Sequence, residues 1–301
     1  MTTRANASEL LVRQRLGALK RALPLARDGD VNGVHQARVA TRRLREAVPL
    51  IARGARGRKL ARTIRRLTQA LGPVRELDVA LLMLDEIAAA KGVPRGGVAR
   101  LQQVVREERR LLHRDMLRAV DRTNLDKLTK KAVAAARERD ESVASRPRTR
   151  DPQQTDGARK RAARRAQALR ATIENAAGIY LPDRLHDVRI AVKKLRYSME
   201  IVRELSASRA VARILALKRA QDLLGRMHDL EVLIARTRAV QGASSPPSLS
   251  LSAELDQLVR RLETECRQLH GQYMALRPSL LAICDHVIAA ATRRRRHVRA
   301  A

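Results

Sequence analysis

Two histidine-led clusters of cations hold the chemistry this sequence offers. His35-Gln-Ala-Arg38-Val-Ala-Thr-Arg42-Arg43-Leu44-Arg45 aligns without a gap on His186-Asp-Val-Arg189-Ile-Ala-Val-Lys193-Lys194-Leu195-Arg196. The His, two Arg, one Ala and the Leu are identical, and the basic pair stays basic. Arginine forks grip phosphate or carboxylate oxygens, lysine acts as a point charge, and imidazole donates from one ring nitrogen when neutral and from both when protonated. A neighbouring phosphate would also raise the imidazole pKa. The pattern points to an anionic ligand. A metal ion is the rival for paired His, but the stripe offers no carboxylate or thiolate as a second ligand, and its cations oppose a metal's charge.

At about 100° per residue, His35, Arg38, Arg42 and Arg45 fall within roughly a quarter of a helix circumference, while Ala37, Ala40, Leu44, Val48 and Ile51 form a separate apolar face. The second copy sets His186, Arg189, Lys193 and Arg196 against Val188, Ala191, Leu195, Met199 and Val202. Asn32 and Asp183 stand three residues before each His as expected N-caps, which would place each His in a first helical turn, where free N–H groups and the dipole also favour an anion. Like charges three or four apart cost roughly 0.2 to 0.5 kcal/mol each, and neither stripe interleaves the acids that a solvated face would carry. Opposed across a pseudo-two-fold axis, the stripes would repel until a polyanion filled the gap.

A second repeated signature follows each stripe, Leu71-Gly72-Pro-Val-Arg75-Glu76-Leu77-Asp78 and Leu224-Gly225-Arg-Met-His228-Asp229-Leu230-Glu231. The glycines are expected as helix stops, with the acids in the first turn of the next helix, there to suit its dipole or to orient the arginines. Between stripe and signature, Arg62, Arg65 and Arg66 in one copy and Lys218 and Arg219 in the other would extend the basic surface. The order of motifs is the same in both copies, so a duplicated unit is expected.

The elements that must position these residues are helices. Nearly every segment repeats apolar residues at i, i+3, i+4 and i+7, and none alternates as a strand does. The 301 residues contain 63 Lys plus Arg against 31 Asp plus Glu, a formal charge of +32, with 45% apolar residues, no Phe or Trp and three Tyr. Disorder and collagen are excluded, and an aliphatic core of packed helices is expected. Arg and Ala enrichment also follows from a GC-rich coding sequence, so position rather than count supports the anion reading. Cys266 and Cys284 form no CxxC or Cys/His cluster, so neither a disulfide framework nor zinc is indicated. With no continuous run of 18 apolar residues and no leader-like N-terminus, the expectation is a cytoplasmic protein with no membrane segment. The domain reading is a first helical half over 1–140, a polar linker at 141–157, a second half over 158–292 and a basic tail at 293–301, the tail a mobile, non-specific anion contact.

At these motifs the sequence resembles the CHAD family, the conserved histidine α-helical domain, over nearly its whole length. The resemblance implies two pseudo-symmetric four-helix bundles, a basic central groove or pore that binds inorganic polyphosphate, and association with polyphosphate granules and their proteins. Carried over by position, His35, Arg38, Arg42, Arg43, Arg45, His186, Arg189, Lys193, Lys194 and Arg196 are groove residues. His228 stands where the first copy has Arg75. Some members carry a triphosphatase domain with a Glu-x-Glu-x-Lys strand motif; here Glu263-Thr-Glu265-Cys-Arg267 falls on an expected helix and ends in Arg. Gly92 to Gly97 lacks the Lys-Ser/Thr of a phosphate-binding loop. Binding without catalysis or cofactor is therefore expected. The alternative is a histone-like nucleic-acid binder, which the scarcity of aromatic residues disfavours for single strands. A third reading makes His35 or His186 a phosphoacceptor.

Overall fold

A computed structural model describes the backbone of residues 7–52, 54–144, 152–176, 178–206, 210–243 and 248–299. The described residues are all helical: α1 (Ala7–Arg27), α2 (Val31–Ile51), α3 (Gly54–Ala88), α4 (Arg95–Asp121), α5 (Leu125–Ala144), α6 (Pro152–Asn175), α7 (Pro182–Ser206), α8 (Val211–Gly242) and α9 (Leu249–Arg299). The expected linker is partly helix, since α5 runs to Ala144 and α6 begins at Pro152; 145–151 lie outside the described residues. The expected basic tail begins inside α9, whose backbone stays helical to Arg299, while the side chains from 292 onward lie outside the description.

Two expected breaks are absent: helix α3 passes through Gly72-Pro73 and α8 through Gly225, and α9 likewise runs through Pro278. An internal Pro removes one backbone hydrogen bond and Gly costs helix propensity. The apolar seam outweighs both: Leu67, Leu71, Val74 and Leu77 continue in helical register across the α3 break, all buried to 1% exposure or less. Met227, Leu230 and Leu233 do the same beyond Gly225. Each residue kept in that seam withdraws a whole aliphatic side chain from water, worth about 1.5 to 3 kcal/mol.

The chain forms two compact units. The first holds 1–78, 109–158 and 201–208; the second holds 79–108, 159–200 and 209–301. Helices α3 and α4 thus contribute to both. In the first unit, Leu19, Val34, Leu44, Ile64, Leu67, Met116 and Ala136 meet in one core drawn from α1 to α5. Its α1–α2 hairpin is tight because Gly33 approaches the end of α1: a Cβ there would lie 2.6 Å from the Ala26 backbone N. Buried Arg15 cross-links this unit, donating to the Arg43 carbonyl at 2.7 Å and to Glu204 at 3.1 Å. Asp78, fully buried, accepts from Arg109, which also donates to the Gly29 carbonyl.

The second unit buries Leu169, Ile173, Leu195, Leu217, Leu258, Leu262 and Tyr273. Polar clamps hold its α3–α4 portion. Arg226 of α8 bonds Glu86 and Glu265, Arg236 bonds Glu108, and Glu254 of α9 accepts the Gly97 N–H at 2.6 Å. Within Leu249–Ala291, α9 has a stretch long and apolar enough by length and composition to cross a membrane. It also packs Tyr273, Leu280, Ile283 and Cys284 into the unit and pairs Asp285 with Arg170 of α6. Cys266 and Cys284 are free, and burial pushes their thiols up to about 11 and about 12.

Gly33→Ala is expected to destabilise the first unit by about 1 to 3 kcal/mol, because the added methyl meets backbone that cannot swing aside. Leu44→Ala should cost about 2 to 5 kcal/mol through transfer and cavity terms. Denaturant titration followed by circular dichroism measures both.

Candidate anion-binding site

Helix α2 presents the first cluster because its other side is committed to the core: Ala37, Ala40 and Leu44 are at most 3% exposed. His35, Arg38 and Arg42 are half-buried on the flank of that seam. From α3, Gly72 and Arg75 complete the cluster. An Arg38 Nη1 nitrogen lies 2.6 Å from where a Gly72 Cβ would stand, and it reaches the Thr68 carbonyl at 3.5 Å. The glycine expected to stop a helix instead leaves room for the signature guanidinium. Burial holds the His35 pKa below its ordinary value, and Arg75, Arg38 and Arg42 reinforce this. His35 is therefore a neutral hydrogen-bond donor among three cations, which an arriving phosphate would stabilise in its charged form.

The second cluster repeats this plan on α7 and α8 with one change of chemistry. His228 occupies the Arg75 position and meets His186, Nδ1 to Nδ1 at 3.1 Å, with ring centroids 4.4 Å apart. At that separation one ring carries the shared proton and the other accepts it. The pair borders a recess of about 400 Å³ that also includes Asp183, Tyr180 and Glu231, the last two hydrogen-bonded to each other. Burial, Arg189, His186 and Lys193 push His228 down to about 4. His186 is lowered by burial first, then by Arg189 and Lys193, against a smaller raising effect of Asp187 and Asp183.

Several sequence expectations change. The α2 N-cap is Asp30, whose side chain accepts the Gly33 N–H, and both Asn32 and Asp183 lie inside their helices. Each His is thus the fifth helical residue, beyond the free N–H groups of the terminus. The acids of the second signature are in mid-helix, so dipole placement does not explain them. Asp229 instead stands 3.7 Å from Arg189. Acids also enter the second stripe, where Arg196 donates to Glu200 at 2.5 Å and to Gln221 while lying over the Tyr197 ring.

Arg38 with Arg42 and Arg189 with Lys193 share the face of their His. Arg45, one turn on from Arg42, is half-buried; Arg196 is its counterpart. Arg43 lies about 140° around α2 from Arg38 and lines a different recess with Arg15, Arg21 and Gln36. Lys194 is displaced from Arg189 by the same angle. Arg65 and Lys218 are exposed and lie within about 20° of Gly72 and Gly225, whereas Arg66 and Arg219 point about 120° away. Lys218 pairs with Asp222 at 3.5 Å. Arg75 and His228, not among the expected contacts, sit at the centre of the clusters. Their signal was the second repeated signature.

An all-helical chain in which two matched His–Arg faces recur defines a duplicated cation-lined helical domain. The family model for the CHAD domain matches residues 10–238, and the chain belongs to that family. No curated protein matches it. Among solved structures it is similar to the crystal structure of the CHAD domain from the plant Ricinus communis, at TM-score 0.60 and 22% identity, covering 95% of this chain and 91% of that one. It is also similar to PptA from Streptomyces chartreusis, at TM-score 0.61 and 15% identity, covering 90% of this chain and 98% of that one.

Gly72→Ala separates fold from site. The helix gains about 1 kcal/mol of intrinsic propensity, while the methyl displaces the Arg38 guanidinium. Thermal melting should stay or rise as affinity for anions falls several-fold. The histidine pair gives a second test. Unfolded His titrates near 6.5, folded His228 near 4. Between these values the unfolded chain binds more protons, so this contribution is complete above about pH 6.5 and is lost as pH falls toward 4. Chemical denaturation in anion-poor buffer should show that loss, and His228→Gln should reduce it.

Proposed function

We propose that the protein binds inorganic polyphosphate through its two histidine-led basic clusters and that this carries it to polyphosphate granules in the cytoplasm. The observation behind the reading is the matched packing of each cluster: a neutral, half-buried His held among cations whose mutual repulsion an anion would relieve. Polyphosphate binding is a property of the CHAD family, and both signature sets are present in full in this chain. Arg38, Arg42, Arg189 and Lys193 supply the main charge. His35, Arg75, His186 and His228 supply directional donors, and Arg65 and Lys218 extend the surface. Arg45, Arg196, Arg43, Lys194 and Arg219 are secondary, and Arg66, turned away from the His35 cluster, is left out of this set.

The proposed role is binding without turnover. Asp229 is engaged with Arg189 and Glu200 with Arg196, so these two serve as positioning groups. A polymer long enough to reach both clusters gains from the second contact as an intramolecular event. Phosphate or sulfate would occupy the same donors weakly.

Titration with polyphosphates of increasing length should show affinity rising with length and falling steeply with salt as counterions are released. Replacing Arg38, Arg42, Arg189 and Lys193 with Ala should weaken long-polymer binding at least about 100-fold, as loss of several phosphate contacts requires, with helicity unchanged. Equal affinity for orthophosphate and long polymer, displacement by duplex DNA at matched phosphate, or release of orthophosphate during incubation would overturn the reading.

A further inference from the structure

The first unit contains a second cation-lined cavity, of about 1120 Å³, on the opposite side of α3 from the His35 cluster. Helix geometry makes the separation explicit. Arg56, Lys59, Thr63 and Ala70 lie about 140 to 180° around α3 from Gly72, the residue against which Arg38 rests. Helix α3 contributes Arg56, Lys59 and Arg66, the corner after α4 contributes Arg122, and α5 contributes Lys127 and Lys131. Glu138 is the single carboxylate in the lining, and it is paired with Arg56. Lys127 and Lys131 are four apart on one helix, a spacing at which like charges repel. The wall is anion-seeking.

Its floor is not what an inorganic polymer needs. Leu60, Ala70, Ala119, Leu128 and Ala134 line the cavity between the cations. Leu60 and Leu128 are already only 4% exposed in the core, so the surface at stake is that of half-buried Ala70 and Ala119 and exposed Ala134. An inorganic chain has no apolar surface to cover them. A ligand with an organic body would cover them, gaining roughly 25 cal/mol per Å² of apolar area withdrawn from water. Polar groups at the edge suit such a body as well. The Thr63 and Thr123 hydroxyls donate to the Lys59 and Ala119 carbonyls, which leaves their oxygens to accept. The Asn124 side-chain oxygen caps α5 through the Lys127 N–H, directing its amide NH₂ elsewhere. The volume lies just above the usual range of about 300 to 1,000 Å³ for small-molecule sites, with room for a ligand larger than a single phosphate. No aromatic side chain lines it, which disfavours stacked single-stranded nucleic acid.

We propose that this cavity is a separate binding site for a multiply phosphorylated organic molecule, with phosphates on Arg66, Arg122, Lys127 and Lys131 and the organic body over Ala70, Ala119 and Ala134. The site is independent of the polyphosphate clusters, so its test removes them. Calorimetry compares ATP with inorganic tripolyphosphate as probes of similar charge, in the full chain carrying Arg38→Ala, Arg42→Ala, Arg189→Ala and Lys193→Ala. ATP should still bind, at least about tenfold more tightly than tripolyphosphate. Adding Arg66→Ala and Lys131→Ala, both at exposed positions, should cost ATP at least tenfold. Ala134→Glu, an exposed change that puts a carboxylate over the floor, should do the same with helicity intact. Three results would overturn the proposal: equal affinity for ATP and tripolyphosphate, ATP affinity unchanged by the cavity substitutions, or displacement of ATP by duplex DNA at matched phosphate. Loss of long-polymer binding in the fourfold variant with ATP binding retained would separate this site from the polyphosphate reading.

Discussion

Keeping like charges side by side on a folded helix is the constraint around which this protein is organised. Cations at successive turns repel, and the acids on α7, Glu200 at Arg196 and Asp183 and Asp187 near His186, offset a part of that repulsion. The opposing force is on the other side of the same helices, where Ala37, Ala40 and Leu44, or Val188 and Leu195, are sealed in a core. Because the apolar face cannot turn without exposing itself, the cationic face cannot turn away either. The fold holds the charges in a high-energy arrangement that a bound anion lowers, the sense in which a binding site is preorganised.

The two copies solve this problem differently. In the first, Arg75 joins Arg38 and Arg42 around one His, and the buried Asp78 carboxylate is close enough to feel Arg75. In the second, His228 replaces that Arg, Asp229 faces Arg189, and Glu200 and Gln221 occupy Arg196. The second site thus holds less fixed charge and more hydrogen-bonding groups that can change protonation. The matched motifs sit on helices in both copies, while differences at several positions, Arg75 against His228 among them, redistribute the charge.

Helical class and the residue types of the clusters were legible in the sequence because they are local or repetitive. Helix ends were less so. Gly72 and Pro73 look like punctuation, and their local preference for a break is real, but Leu67, Leu71, Val74 and Leu77 bury too much surface to allow one. The capping residue of α2 was misplaced by two positions, since Asp30 and Asn32 are chemically equal candidates and only the turn geometry selects between them. Arg43 and Arg66 carried the same charge as their neighbours, yet a step of 100° sends each to a different recess.

What the chain determined unaided was periodicity and charge: apolar residues every third or fourth position dictate helices, and Arg repeated on matched faces makes those faces cationic. Only tertiary packing decided which cations share a face with which histidine, that Gly72 makes space for Arg38, and that α3 shows cations on two opposite sides. The physical reason is range. Helical pattern is written within a few residues, whereas the approach of Arg75 to His35, or of Lys131 to Arg66, depends on how buried seams far apart in sequence lock together.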